Sequence, residues 1–199
     1  MQSRIPRQQD SDHGWTRPEP AAGLSDELAS VVAGARRRAV RDGDRQIDTA
    51  HLLHSLLESD PEVYPVFGNG PQMARLLGYL VQRSIGYGLR WQGTVEDSGA
   101  LPVVTAGAQG WSPTAAHAME VARARAAGRG GKPARGVDLL AAVVEDCASR
   151  AVEVLRRAGV DVPELLGRIE AGFAAEAAGP ETGFEGGFGD PWNGGGERF

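Results

Sequence analysis

The chain has 199 residues, of which 6% are aromatic, and a formal net charge of −5. This length suits one domain with tails, and the low aromatic content favours a helical domain packed by Ala, Leu and Val over a β-sandwich. The acidic balance argues against a general nucleic-acid-binding protein, and no uninterrupted apolar run approaches the roughly 18–20 residues of a membrane span.

The N-terminal segment 1–23 is rich in Pro, Arg and Asp and has no periodic apolar pattern. We expect a disordered arm there, and the segment also lacks the apolar stretch of a signal peptide. Cys147 is the sole cysteine, so an internal disulfide is excluded and a cytoplasmic location is expected. We expect Cys147 to be a small, half-buried residue.

Residues 24–84 have the pattern of four helices. Ser25 is a suitable N-cap for the first, which is predicted to end at the Asp42-Gly43 turn. The other three helices are predicted at about 49–59, with Asp48 or Thr49 as the cap, at about 62–68, and from Pro71 onward.

The segment 85–110 is rich in Gly and long for a connection inside one domain. Connections of this length are usually functional or disordered. A brief strand at 101–105 is predicted within it.

Residues 111–173 repeat the first unit, and 111–146 align with 24–59 without gaps: Ser112 follows Ser25 by 87 positions, and Pro113 favours a helix start there. Other identical pairs at the same offset are Ala35/Ala122, Arg36/Arg123, Arg38/Arg125, Gly43/Gly130, Leu52/Leu139, Leu53/Leu140 and Glu58/Glu145. The four helices of this copy are predicted to end near Gly128, to cover about 136–146 and 149–158, and to start again at Pro163. The Gly-rich remainder, 174–199, is predicted to be a disordered tail.

Short motifs recur in the same order in both copies. They are LS at 24–25 and WSP at 111–113, and IDTAHLL at 47–53 and ARGVDLL at 134–140; copy two then continues with VLRRAGVD at 154–161. This order resembles the double Clp repeat, the N-terminal domain of Clp-type AAA+ unfoldases. The resemblance implies an all-α fold in which two pseudo-symmetric four-helix repeats pack into one domain, 24–173.

His51 and His54 lie three residues apart on the second predicted helix. Two histidines at this spacing can share a helix face and bind a metal, but a zinc site needs further ligands and this helix has no His-Glu-x-x-His pattern. At the repeat offset, His51 corresponds to Asp138 and His54 to Ala141. We therefore favour structural roles, with no metal, no cofactor and no catalytic residue, and keep a metal-dependent hydrolase as the less favoured alternative.

The segment GRGGK at 128–132 has the wrong spacing for a Walker A loop, and Pro133 follows its lysine. An inter-helix turn is the favoured interpretation, and no ATPase motor is expected from these residues. Arginines cluster near the ends of both first helices: Arg36, Arg37, Arg38 and Arg41 in copy one, and Arg123, Arg125 and Arg129 in copy two. They either stabilise the helix C-termini or form a basic docking patch for an acidic partner.

The resemblance also implies a function. Some family members bind phosphorylated arginine through two Glu residues, but Ala50 and Val137 stand at those positions, so this activity is not transferred. The family's groove near the first helices binds adaptors, substrate segments and certain cyclic peptides. The corresponding residues are Leu24, Ser25, Glu27, Leu28, Trp111, Thr114 and His117.

We therefore expect a non-enzymatic cytoplasmic binding protein that acts as an adaptor, competitor or decoy in the Clp protease and chaperone system. Its expected partners are a Clp AAA+ unfoldase, the unfoldase's substrates or adaptors, or cyclic peptides, with neither nucleic acid nor membrane. A helical interaction module of an unrelated pathway is the main alternative, because a fold does not fix a function.

Overall fold

The computed structural model describes residues 23–68, 70–84, 96 and 110–178. These residues form eight helices and two isolated β-bridges, which confirms the all-α prediction for this part of the chain. The helices are α1 Asp26–Asp42, α2 Thr49–Ser59, α3 Tyr64–Phe67, α4 Gly70–Ser84, α5 Pro113–Gly128, α6 Gly136–Glu145, α7 Arg150–Arg157 and α8 Val162–Ala178. Among the described helices, none is long and apolar enough to cross a membrane.

The two first helices begin in the same way. The Ser25 hydroxyl accepts a hydrogen bond of 3.2 Å from the Leu28 amide, and the Ser112 hydroxyl accepts one of 3.1 Å from the Ala115 amide. Each bond satisfies a backbone donor that has no partner inside its helix, so both predicted N-caps are confirmed. At the other end of α1, Gly43 has a φ of 72°, a left-handed conformation that glycine adopts without steric cost.

Helices α2 and α6 occupy the centre of the domain. All residues of α2 from Thr49 to Leu57 are buried, and in α6 only Val137 and Glu145 are not. Each packs against the first helix of its own copy, and the two also contact each other. The leucines of these helices therefore form one core shared by both repeats.

The two copies are joined by reciprocal parallel bridges. Leu24, before α1, pairs with Ala134, before α6, while Ile47, before α2, pairs with Trp111, before α5. The Ser25 amide donates to the Ala134 carbonyl at 2.9 Å, and the matching Ser112 amide donates to the Ile47 carbonyl at 2.8 Å. The start of each first helix is therefore held against the second-helix motif of the other copy.

The predicted start of the C-terminal tail at residue 174 is wrong, because α8 continues to Ala178. The residues beyond 173 begin AAEAA, and both Ala and Glu are good helix formers. The Glu176 carboxylate also accepts two hydrogen bonds, of 2.8 and 2.9 Å, from the Arg135 guanidinium, which lowers the pKa of Glu176. The predictions for 1–22, for the rest of the tail, and for the linker with its strand at 101–105 lie outside the described residues.

Candidate inter-repeat binding site

The residues expected to line a binding groove differ in their exposure. Leu28 is fully buried in the core and Thr114 is 2% exposed, because both point from the first turn of their helix into the domain. Neither side chain presents surface to a ligand in this conformation. Glu27 and His117 are exposed on α1 and α5, and they are the members of the set that a partner reaches directly.

Three further residues of this set lie at the cross-repeat bridges. Leu24 and Trp111 are half-buried and pack against the core, while Ser25 caps α1. A half-buried tryptophan combines apolar contact area with a hydrogen-bond donor, which is the usual character of an interface anchor.

A buried carboxylate from the linker fastens the junction between the copies. Glu96 is 5% exposed, and it accepts hydrogen bonds of 2.9 Å from the Thr49 amide, 2.8 Å from the Ser112 hydroxyl and 2.8 Å from the Arg150 amide. The Thr49 hydroxyl donates to it as well. The carboxylate thus satisfies orphan donors at the starts of α2 and α7, where the helix dipoles favour a negative charge.

An ion pair beside Glu96 also crosses between the copies. Arg150 at the start of α7 donates to the Asp48 carboxylate at 2.7 Å, and both side chains are at most 10% exposed. The Ala151 amide donates to the Thr49 hydroxyl at 3.0 Å. Breaking such a buried pair by removing one partner leaves an uncompensated charge, so the junction depends on both groups.

His51 has a capping role. Its Nδ1 accepts from the Asp48 amide at 3.1 Å, and the Asp48 carboxylate accepts from the His51 amide at 2.9 Å, which is a reciprocal capping box. The Nε2 atom of His51 lies 3.2 Å from Asp44 Oδ2 and 3.7 Å from Asp42 Oδ2.

His54 faces a different set of groups. Its Nδ1 lies 3.2 Å from Arg38 Nη1, and its Nε2 lies 3.1 Å from Glu58 Oε1. Burial, reinforced by Arg38, lowers the pKa of His54 from 6.5 to about 4, so the ring is neutral at physiological pH. The two histidines do not converge on one site, and their contacts support the structural roles expected from the sequence.

One group of side chains in the described residues has the spacing of metal ligands. Ligand atoms of Asp44, Asp48 and His51 lie within 4.8 Å of one another. Two of these residues form the capping box, and Asp48 also holds Arg150. Capping and ion pairing account for the cluster, and a nearby guanidinium disfavours a cation.

Two features were not anticipated from sequence. Cys147 is exposed rather than half-buried, because it follows the last turn of α6, outside the core. Glu96 was missed because nothing distinguishes it from the acidic residue next to it in a Gly-rich linker. Only the folded chain brings the starts of three helices together. Hydrogen-bond donors at these starts then need an acceptor, which the carboxylate supplies.

Comparison with solved structures shows which known fold this is. The N-terminal domain of the caseinolytic-protease-associated chaperone ClpD from Arabidopsis thaliana matches with a TM-score of 0.54 and 16% identity, over 76% of this chain and 97% of that one. A structure described as part of a malarial protein secretion system matches with a TM-score of 0.53 and 14% identity, over 76% and 95%.

Comparisons of sequence gave no such match. No protein-family model matches the chain. No curated protein matches it either. The architecture, the paired repeats and their reciprocal bridges together show that this chain has the fold of a Clp N-terminal domain.

Proposed function

We propose that the protein is a non-enzymatic binding module of the Clp protease and chaperone system. It engages protein segments, or cyclic peptides, as an adaptor, competitor or decoy of a Clp unfoldase in the cytoplasm. The observation that carries this proposal is the cross-bridged junction of a Clp N-terminal fold, in which the start of each first helix lies against the other copy.

The surface offered to the partner contains one acidic group, one imidazole and an aromatic anchor. Glu27 and His117 are exposed on α1 and α5, and Trp111 is half-buried at the bridge before α5. This mixture of a partly buried aromatic with a polar rim is typical of protein interfaces. The chain's acidic balance disfavours a nucleic-acid partner.

The alternatives differ in what supports them. A helical interaction module of an unrelated pathway would use the same surface, and the fold alone does not separate the two. A metal-dependent hydrolase at His51 and His54 would need both imidazoles at one site, yet they face Asp44 and Arg38 respectively. Stoichiometric zinc in purified protein would revive that alternative.

Site-specific photo-crosslinking in the native cytoplasm tests the proposal. A photoreactive amino acid replaces Glu27 or His117, and Val40, which is 76% exposed near the end of α1, is the control position. We expect adducts with a Clp unfoldase, or with its substrates, from the first two positions and not from the third. Adducts without any Clp component, or equal adducts from Val40, would contradict it.

A further inference from the structure

A polar pocket opens between α1 and α2 of copy one, away from the cross-repeat bridges. Its volume is about 320 Å³. The lining residues are Gly34, Arg37, Arg38, Arg41, Ser55, Glu58 and Ser59. The proposed function does not use this pocket.

The charges around the pocket do not balance. Arg38 donates to Glu58, the one acidic residue of the lining. Arg41 is 64% exposed, with its Nε 3.6 Å from Asp42 Oδ1, and Arg37 has no acidic partner among the described residues. With Glu58 beside Arg38 and Asp42 beside Arg41, the guanidinium group of Arg37 leaves the pocket with a net positive charge.

A buried hydroxyl lines the same pocket. Ser55 is 1% exposed, and its Oγ has no hydrogen-bond partner within the described part of the chain. Leaving a buried hydroxyl unpaired costs roughly 1–3 kcal/mol. A Cβ at Gly34 would lie 3.1 Å from this Oγ, so glycine leaves space beside the hydroxyl. The hydroxyl is therefore positioned as a donor for a group that enters the pocket.

The second copy supplies an internal comparison. The Arg38–Glu58 contact recurs as Arg125–Glu145 at 2.7 Å, which identifies this pair as a structural element of the repeat. The other lining residues do not recur. At the same offset, Gly34, Arg37, Arg41, Ser55 and Ser59 correspond to Val121, Ala124, Gly128, Ala142 and Asp146.

The repeat scaffold thus forms without this polar set, since copy two folds on apolar, small or acidic residues at all five positions. Stabilising the end of α1 requires no more than one cation in the last turn, and Arg41 alone occupies it. The helix dipole does not explain Arg37. It also does not explain why the buried Ser55 hydroxyl lines the same pocket.

We propose that this pocket binds a phosphoryl group carried as a phosphate monoester. A monoester is a dianion at neutral pH, which the net positive pocket attracts, and its three oxygens accept from guanidinium and hydroxyl donors. Arginine suits such oxyanions because its planar fork donates two hydrogen bonds at once. The pocket is larger than a phosphate ion, so part of the esterified group also enters it.

Calorimetric titration of the full chain with a phosphoserine peptide tests this inference. We expect saturable binding with one site, a loss of about tenfold or more in affinity for Arg37→Ala, and a change of less than about twofold for Arg36→Ala. Arg36 is a matched control because it is an exposed neighbour on α1 that does not line the pocket. Equal losses in both variants would overturn the proposal, because they would indicate diffuse attraction.

A second variant separates binding from folding. Ser55→Ala introduces the copy-two residue and removes an unpaired hydroxyl, so its melting temperature should be unchanged or higher while the peptide binds several-fold more weakly. Unchanged affinity in this variant would contradict the role of Ser55. The unphosphorylated peptide should not bind, and inorganic phosphate should bind more weakly than the peptide. Absence of saturation by the phosphopeptide at about 5 mM would overturn the proposal.

Discussion

His51 and Asp138 make the same hydrogen bond in the two copies. The side chain of each accepts from the backbone amide three residues earlier, His51 from Asp48 at 3.1 Å and Asp138 from Arg135 at 2.8 Å. A ring nitrogen and a carboxylate oxygen are both acceptors at similar reach, so the repeat tolerates either residue. The histidine that suggests a metal site in the sequence is thus one of two solutions to capping the second helix.

His51→Ala should destabilise the domain by about 2 kcal/mol, because it removes the reciprocal cap and leaves a small cavity. His51→Asn keeps an acceptor at the reach that Asp138 uses, so its loss should be smaller by about 1 kcal/mol. Chemical denaturation of both variants measures the difference. Equal losses would show that burial of the ring, and not capping, explains His51.

Glu96→Gln should lower the free energy of unfolding by about 2–3 kcal/mol. The Thr49 and Arg150 amides donate to different oxygens of Glu96, so the NH2 group of Gln faces one of these donors in either orientation. Glu120→Gln is the matched control, since Glu120 is exposed on α5 and should change stability little. If thermal denaturation gives the same melting temperature for both variants, Glu96 does not fasten the junction.

Gly136→Ala should destabilise the domain by about 1–3 kcal/mol through overpacking. A Cβ at Gly136 would overlap the Asp60 carboxylate, and burial already raises the pKa of Asp60. Gly167→Ala in α8 meets no atom within 4 Å and should stabilise the helix by about 1 kcal/mol. If Gly136→Ala leaves the free energy of unfolding unchanged, the Asp60 side chain moves aside without cost.

Stability should fall as the pH is lowered from 6.5 toward 4. His54 has a pKa of 6.5 as an ordinary side chain and about 4 in the fold, so across this window the unfolded chain binds more protons. His54→Gln removes this group, so its stability should depend less on pH across the same window. Denaturation midpoints of the two proteins at pH 7 and pH 4.5 measure the difference, and identical pH profiles would contradict the assignment.

The repeat, the helix order and the first-helix caps were predictable because they depend on local chemistry. Ser25 and Ser112 precede apolar-periodic stretches, and a capping hydroxyl acts within three residues of its own position. The identity of the groove residues was less predictable, because burial depends on packing between copies. Leu28 and Thr114 follow the family pattern in sequence, yet both side chains are buried in the folded domain.

The linker carboxylate and the basic pocket could not be read from sequence for a related reason. Glu96 finds its donors on helices whose starts are up to 54 residues away along the chain. In the sequence, the arginines of α1 are typical of a helix C-terminus, and their proposed role in the pocket depends on Ser55 of α2, which lines the same pocket. Both features arise from contacts between elements, which periodicity does not encode.

Quantitative affinity capture from the native cytoplasm tests the central claim most directly. The tagged chain is compared with a Glu27→Arg/His117→Glu double variant, which reverses or adds charge at the two exposed positions without touching the core. Our account predicts that a Clp unfoldase or its substrates are enriched with the native chain and that the double variant loses most of this enrichment. If no Clp component is recovered, or if the double variant recovers as much, the proposed function is wrong.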